Sequence, residues 1–188
     1  MIKYAIVGNI ASGKSTVEEI LRNNGYKVFD TDKIAHEILN NSNEIREIFK
    51  SYDIITDNKI DRKKLAKIVF SDKNQLKKLE AVIHPKVKEE ILKIFNMNFD
   101  IVFISVPQLF EAGFENLFDK IIFITAQKDI RLKRLIKRNN CSVEEGLQRI
   151  ESQIPDENKL QECDLVIENN DSVDNLKNLV NKIFPSNR

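Results

Sequence analysis

The sequence predicts an α/β protein built on a parallel sheet. Three observations predict it. An apolar run, Ile2 to Val7, leads straight into the stretch Gly8–Lys14, with two of the chain's five glycines. Apolar residues at helical spacing follow. Two further runs, Asp100–Val106 and Lys120–Thr125, are unbroken rather than alternating. Unbroken runs belong to strands covered on both faces, and strand–loop–helix–strand order opens a parallel sheet.

Ile2–Val7 reads as a buried strand. Val17, Ile20 and Leu21 share one face of a helix over Ser15–Leu21, and Gly25 stops it. Tyr26–Phe29 reads as a second strand, ending in the loop Asp30-Thr31-Asp32, with a helix starting near Lys33. From Lys33 to Asn98 helical spacing replaces strand patterns. Ile34, Ile38 and Leu39 share a face, as do Leu76, Leu79 and Ile83, and Pro85 is expected to open a helix over Lys86–Phe95. The two unbroken strands come next, then a helix over Lys128–Lys137 and a polar helical stretch from Ser142 to Cys163. A strand, Leu165–Ile167, and a helix, Val173–Ile183, close the chain. The expected organisation is a core of residues 1–32 and 99–188, with a lid at about 138–152, and a helical insert of residues 33–98.

Composition excludes several classes. The chain has 188 residues, 41% hydrophobic and 31% charged, enough for a real core and too apolar for disorder. A net charge of +1 argues against a general nucleic-acid binder. No run of 18 apolar residues occurs, and the N-terminus has no long apolar region, so neither a membrane span nor a secretory signal is expected. Cys141 and Cys163 lie far apart without CxxC spacing, which points to a reducing cytoplasm rather than a disulfide or zinc framework.

The chemistry starts at Gly8-Asn9-Ile10-Ala11-Ser12-Gly13-Lys14-Ser15, which fits G-x-x-x-x-G-K-[ST] without a mismatch. Glycines let backbone N–H groups turn toward phosphate oxygens, and the following helix aims its N-terminus at the anion. Lys14 adds charge at the β/γ-phosphates, and the Ser15 hydroxyl is placed to ligate Mg²⁺. The expectation is a three-layer P-loop NTPase-type sheet that binds ATP. A GTPase would need a base-reading N-K-x-D loop. Asn58-Lys59-Ile60-Asp61 has the letters, but it lies in the helical insert with no long apolar strand before it. A small chain with a helical insert suits a small-molecule kinase. Asp30 or Asp32, after the second strand, can take the proton from an attacking hydroxyl, or either can cap the next helix.

Taken together, Gly8–Thr16, Val28–His36 (VFDTDKIAH), Asp61–Leu65 (DRKKL), Val69-Phe70, His84-Pro85 and Val106–Glu111 (VPQLFE) closely resemble the dephospho-CoA kinase family. The resemblance runs from Ile2 to about Leu179, and Gln153, Cys163–Ile167 and Asn169-Asn170 fit it too. It implies transfer of the ATP γ-phosphoryl group to the ribose 3′-hydroxyl of dephospho-CoA, the last step of coenzyme A synthesis. It implies that Asn9, Ile10, Ala11, Ser12, Gly13, Lys14, Ser15 and Thr16 bind ATP, with Mg²⁺ at Ser15. Asp32 matches the family's general base. Arg62, His84 and Pro85 fall where its helical subdomain contacts dephospho-CoA, and Glu111 stands at the sheet edge facing the substrates. Without the resemblance, Arg62 reads as a solvated charge and His84 as a helix-start residue; capping or a salt bridge competes for Glu111. Two departures stand out: Asn9 and Ala11 occupy positions where further glycines are frequent, and Gln108 replaces a usual leucine.

Arg131, Arg134 and Arg138 are spaced 3 and 4, so they line one helical face. A solvated face is the simpler account. The resemblance makes Arg138 the lid cation over the transferring phosphoryl group, with lesser roles for Arg134 and Arg149, and places Asn169 and Asn170 on the adenine side. A cytoplasmic monomer with ATP and dephospho-CoA as its partners is expected. The rivals are another small-molecule kinase, such as a nucleoside monophosphate kinase, and a slow nucleotide-dependent switch.

Overall fold

A computed structural model describes residues 1–153 and 159–187. The chain divides into two compact units, Met1–Asp30 with Asn98–Arg188, and Thr31–Met97.

The first unit is built on five strands, β1 (Ile2–Gly8), β2 (Lys27–Asp30), β5 (Ile101–Ser105), β6 (Lys120–Thr125) and β7 (Leu165–Glu168). They lie in the order β2-β5-β1-β6-β7, and every pairing is parallel. The period-two side-chain alternation explains why these strands read as unbroken runs. Ile6, Phe103, Ile122, Ile124 and Ile167 pack in one core cluster. Their strand neighbours Ala5, Val7, Val102, Ile104, Ile121 and Phe123 point the other way and are buried too. The cluster is closed by Val17, Ile20 and Leu21 of α1 (Lys14–Asn23) and by Leu176, Val180 and Phe184 at the C-terminal helix, Val173–Ile183. Phe103 stacks on Tyr4, its register partner, at 4.9 Å and meets Phe184 edge-on at 5.1 Å. Each such buried aromatic is worth about 1.5–3 kcal/mol over leaving it exposed. Gly25, with φ of 94°, ends α1 as the sequence requires.

Two helices on this unit also bear on the site, α6 (Lys128–Asn139) and α7 (Val143–Glu151). α7 opens with a reciprocal capping box between Ser142 and Glu145. Of the polar helical stretch expected to run on to Cys163, α7 ends at Glu151, residues 154–158 lie outside the described residues, and residues 159–160 are helical.

The second unit holds α2 (Thr31–Asn41), α3 (Asn43–Ile48), a hairpin of β3 (Ile55–Thr56) and β4 (Lys59–Ile60), α4 (Arg62–Ser71) and α5 (Lys73–Phe95). Its core gathers Leu39, Ile45, Phe49, Ile54, Ile60, Leu65, Val69 and Val82. The hairpin turns on Asp57 and Asn58, with φ of 49° and 60°, the left-handed pair of a type I′ turn. Asp61 caps α4 by accepting from the N–H groups of Lys63 and Lys64, and these bonds hold its carboxyl below the usual range. Asn58-Lys59-Ile60-Asp61 is thus a turn, a strand and a helix cap.

Two sequence expectations are corrected. Pro85 does not open a helix; it sits inside the 23-residue α5. Proline removes one backbone donor there, yet Val82, Val87, Ile91 and Ile94 are buried along the same helix, and their burial outweighs one lost hydrogen bond. Asp32 is not on a loop. α2 begins at Thr31, directly after β2, and Asp32 lies in its first turn, where a carboxylate complements the helix dipole.

No helix among the described residues is long and apolar enough to cross a membrane.

Candidate active site

β1 lies at the centre of the sheet between β5 and β6, while the next strand in sequence, β2, lies beyond β5. Ligands of open parallel sheets bind at such a switch in strand order, outside the carboxyl ends of the strands. The loop Gly8–Gly13 leaves β1 at that edge and feeds α1.

The loop's shape explains its sequence. Gly13 has φ of 98°, and a Cβ on it would meet Asn169 Nδ2 at 2.0 Å. A Cβ on Gly8 would meet the Ile124 carbonyl at 2.6 Å. Ala11 also adopts positive φ, 61°, which is why glycine suits that place. The turn closes through Ser12 N–H on the Asn9 carbonyl at 3.1 Å, and Thr16 and Val17 N–H groups return to the Gly13 carbonyl. Ser12 is 1% exposed, and its Oγ has no hydrogen-bond partner among the described residues.

Lys14 starts α1. Its ammonium donates to Glu18 Oε1 at 3.0 Å and to Ser105 Oγ at the end of β5. Glu18 is buried and also takes Arg22 at 3.4 Å, so its charge is met on both oxygens. Ser105 pairs in register with Asp30, the last residue of β2, so the carboxyl end of β2 flanks the Lys14 anchor. Ser15 is exposed at the helix start, and Thr16 is half-buried behind it.

The loop is braced from behind. Asn169, buried just past β7, donates Nδ2 to the Ser12 carbonyl at 2.8 Å. Arg134 of α6 reaches the same carbonyl at 3.5 Å and Asn169 Oδ1 at 3.3 Å. Asn170 accepts from Gln127 N–H at 2.8 Å and so fixes the start of α6. Gln153 Oε1 accepts from Ile10 N–H at 2.7 Å. Lys159, buried, donates to Asn9 Oδ1 at 3.1 Å and pairs with Glu111 Oε1 at 3.5 Å.

The predicted residues therefore divide between the units. Asn9, Ile10, Ala11, Ser12, Gly13, Lys14, Ser15, Thr16, Asn169 and Asn170 gather on or behind the loop. Glu111 enters through Lys159, as a salt bridge. On α6 the three arginines part company: Arg131 is buried, Arg134 touches the loop, and Arg138 is exposed with Nε on Asn139 Oδ1 at 3.0 Å. Arg149 is exposed on α7.

Asp32, Arg62, His84 and Pro85 belong to the second unit. Arg62 Nη1 lies 2.9 Å from His36 Nδ1. His36 follows Asp32 by four residues, so both project from one face of α2. His84 and Pro85 lie midway along α5, half-buried and exposed respectively.

Sequence reasoning missed Glu18, Ser105, Lys159 and the pairing of His36 with Arg62. Glu18 had a signal, the i,i+4 spacing from Lys14 inside a helix. Ser105 and Lys159 reach the site across 91 and 150 positions, where local spacing carries no information.

A glycine-bearing loop at the switch point, a lysine and an exposed serine at the helix start behind it, and a separate helical unit define a P-loop kinase. Shikimate kinase from Acinetobacter baumannii shares the fold, with a TM-score of 0.55 at 16% identity over 97% of this chain and 90% of that one. The sequence profile of the dephospho-CoA kinase family matches residues 2–175, and the chain belongs to that family. The dephospho-CoA kinase of Fusobacterium nucleatum is 38% identical over 175 residues, 91% of each chain. A crystal structure from Thermus thermophilus superposes with a TM-score of 0.85 at 34% identity, covering 100% of this chain and 98% of that one. Dephospho-CoA kinase from Campylobacter jejuni gives 0.74 at 37% identity, covering 96% and 94%. The activity is that of the family: ATP-dependent phosphorylation of dephospho-CoA, the final step of coenzyme A biosynthesis.

Proposed function

We propose a division of labour for that reaction. Residues 9–16 hold the ATP phosphates, and Lys14 stabilises the charge on the transferring group. The observation that carries this is the Lys14 anchor: Glu18 and Ser105 fix its ammonium at the mouth of a glycine-shaped turn. A preorganised cation there needs no reorganisation as charge develops. Ser15 supplies a hard oxygen at an exposed helix start, which fits Mg²⁺ shared with phosphate oxygens, and the ion would neutralise charge on the β- and γ-phosphates. Asn169 and Asn170 sit on the side that takes the adenine.

Asp32 is the proposed base for the 3′-hydroxyl. It follows by two residues the end of β2, whose register partner Ser105 holds Lys14. It is exposed, as a group that meets a substrate must be. The second unit binds the acceptor through Arg62, His84 and Pro85. Arg138, exposed at the end of α6, is the cation that closes over the phosphoryl group. The protein works as a monomer in the cytoplasm.

Asp32→Asn tests the base. The variant keeps the shape and loses the proton acceptor, so turnover falls by roughly a hundredfold or more while the KM for ATP holds. Asp30→Asn, at a strand end, has the smaller effect. Asp32→Asn turnover within a few-fold of wild type, at saturating dephospho-CoA, would remove the assignment.

A further inference from the structure

Asn9, the second residue of the phosphate loop, is one of the two positions where the resemblance leads one to expect a further glycine. A glycine has no side chain to accept a hydrogen bond. Here Asn9, 5% exposed, presents Oδ1 to the ammonium of Lys159 at 3.1 Å. That lysine is itself 5% exposed, and among the described residues it pairs with Glu111 at 3.5 Å. A lysine is buried at such a site only when its charge is met.

We propose that Lys159 is a positioning residue for ATP. It ties the second residue of the phosphate loop to the turn after β5 and cancels the charge of Glu111 beside the incoming phosphates. The proposal rests on ATP binding at the loop. Its physical content is electrostatic. The Glu111 side chain is 35% exposed, so its carboxylate is open to solvent and to an anionic ligand. With Lys159 in place the pair is neutral and the Asn9 side chain is held. Without it, an uncompensated carboxylate stands next to the loop that must accept a polyanion, and Asn9 Oδ1 loses the bond from Lys159. Lys159 sits behind the loop and takes no part in the chemical step. Its loss therefore weakens ATP binding selectively, leaving turnover at saturation and the affinity for the acceptor in place.

Steady-state kinetics on the full chain test this. Lys159→Met raises the KM for ATP about tenfold, while kcat and the KM for dephospho-CoA stay within about twofold. Lys159→Arg, which keeps the charge, stays close to wild type. Glu111→Gln in the Lys159→Met background brings the KM for ATP back to within about threefold of wild type, because it removes the carboxylate that Lys159 had balanced. A purely structural role would lower the melting temperature and raise both KM values, with no relief from Glu111→Gln. An unchanged KM for ATP in folded Lys159→Met, an equal rise for both substrates, or an unrelieved rise in the double variant overturns the proposal. If Lys159→Met does not fold, Asn9→Gly replaces it. That variant removes the acceptor while suiting the loop backbone, and its KM for ATP rises about threefold; no rise overturns the proposal. Lys14→Ala run alongside separates the two levels: full activity in that variant refutes ATP binding at the loop, whereas lost activity there with an unmoved KM in Lys159→Met refutes only the role of Lys159.

Discussion

Gly13→Ala disturbs the loop in two ways that can be measured apart. Gly13 has φ of 98°, and a side chain there costs about 1–2 kcal/mol of backbone strain. The new Cβ would also stand 2.0 Å from Asn169 Nδ2, so the amide must swing away. That breaks the 2.8 Å bond to the Ser12 carbonyl between two buried residues and the contact from Arg134. Leaving buried polar groups unmet costs about 1–3 kcal/mol. The total is roughly 2–5 kcal/mol, read as a lowered urea midpoint at unchanged slope. Asn169→Ala alone removes the obstacle together with the bond. In that background Gly13→Ala costs only the strain, so the pair of substitutions is sub-additive by about 1–3 kcal/mol. Additivity within about 0.5 kcal/mol, or a single-variant loss below about 1 kcal/mol, would refute the brace between Asn169 and the loop.

Arg138→Ala should lower turnover by about a hundredfold with little change in the KM for dephospho-CoA, since a cation that closes on the phosphoryl group acts in the transition state. Equal turnover with weaker acceptor binding would move Arg138 to the acceptor side. Burial pushes the Cys163 thiol up to about 11, with Asp164 and Glu162 adding to the shift. At pH 8 about one thiol in a thousand is then ionised, so Cys163 resists iodoacetamide and becomes reactive only as the pH rises toward 11. Peptide mapping after alkylation reads this directly, and rapid labelling of Cys163 at pH 8 would contradict it.

How much of this was legible in the sequence follows from the range of each interaction. The strands of the first sheet were legible because burial on both faces removes polar residues from the run itself, as in Ile121–Ile124. The phosphate loop was legible because its demands are local: positive φ at Gly13 and a lysine one residue on. Pro85 misled because its local effect on a helix is real but smaller than the burial of Val82, Val87, Ile91 and Ile94, which only the packed unit reveals. Asp32 misled because β2 passes into α2 with no intervening loop. Arg134, Arg138 and Arg131 share a helical period, yet the surroundings of α6 give them three different environments. Lys159 carried no sequence signal, since its partners lie at Asn9 and Glu111.

Phosphoryl transfer from ATP to dephospho-CoA at the loop of residues 8–16 is the proposed reaction. The most direct measurement is product formation by the purified chain with MgATP, following ADP and coenzyme A together. ADP should form in step with coenzyme A, only when dephospho-CoA is present, and Lys14→Ala should lose this activity by roughly a hundredfold or more. ADP release independent of dephospho-CoA, or release that follows a nucleoside monophosphate instead, would contradict it.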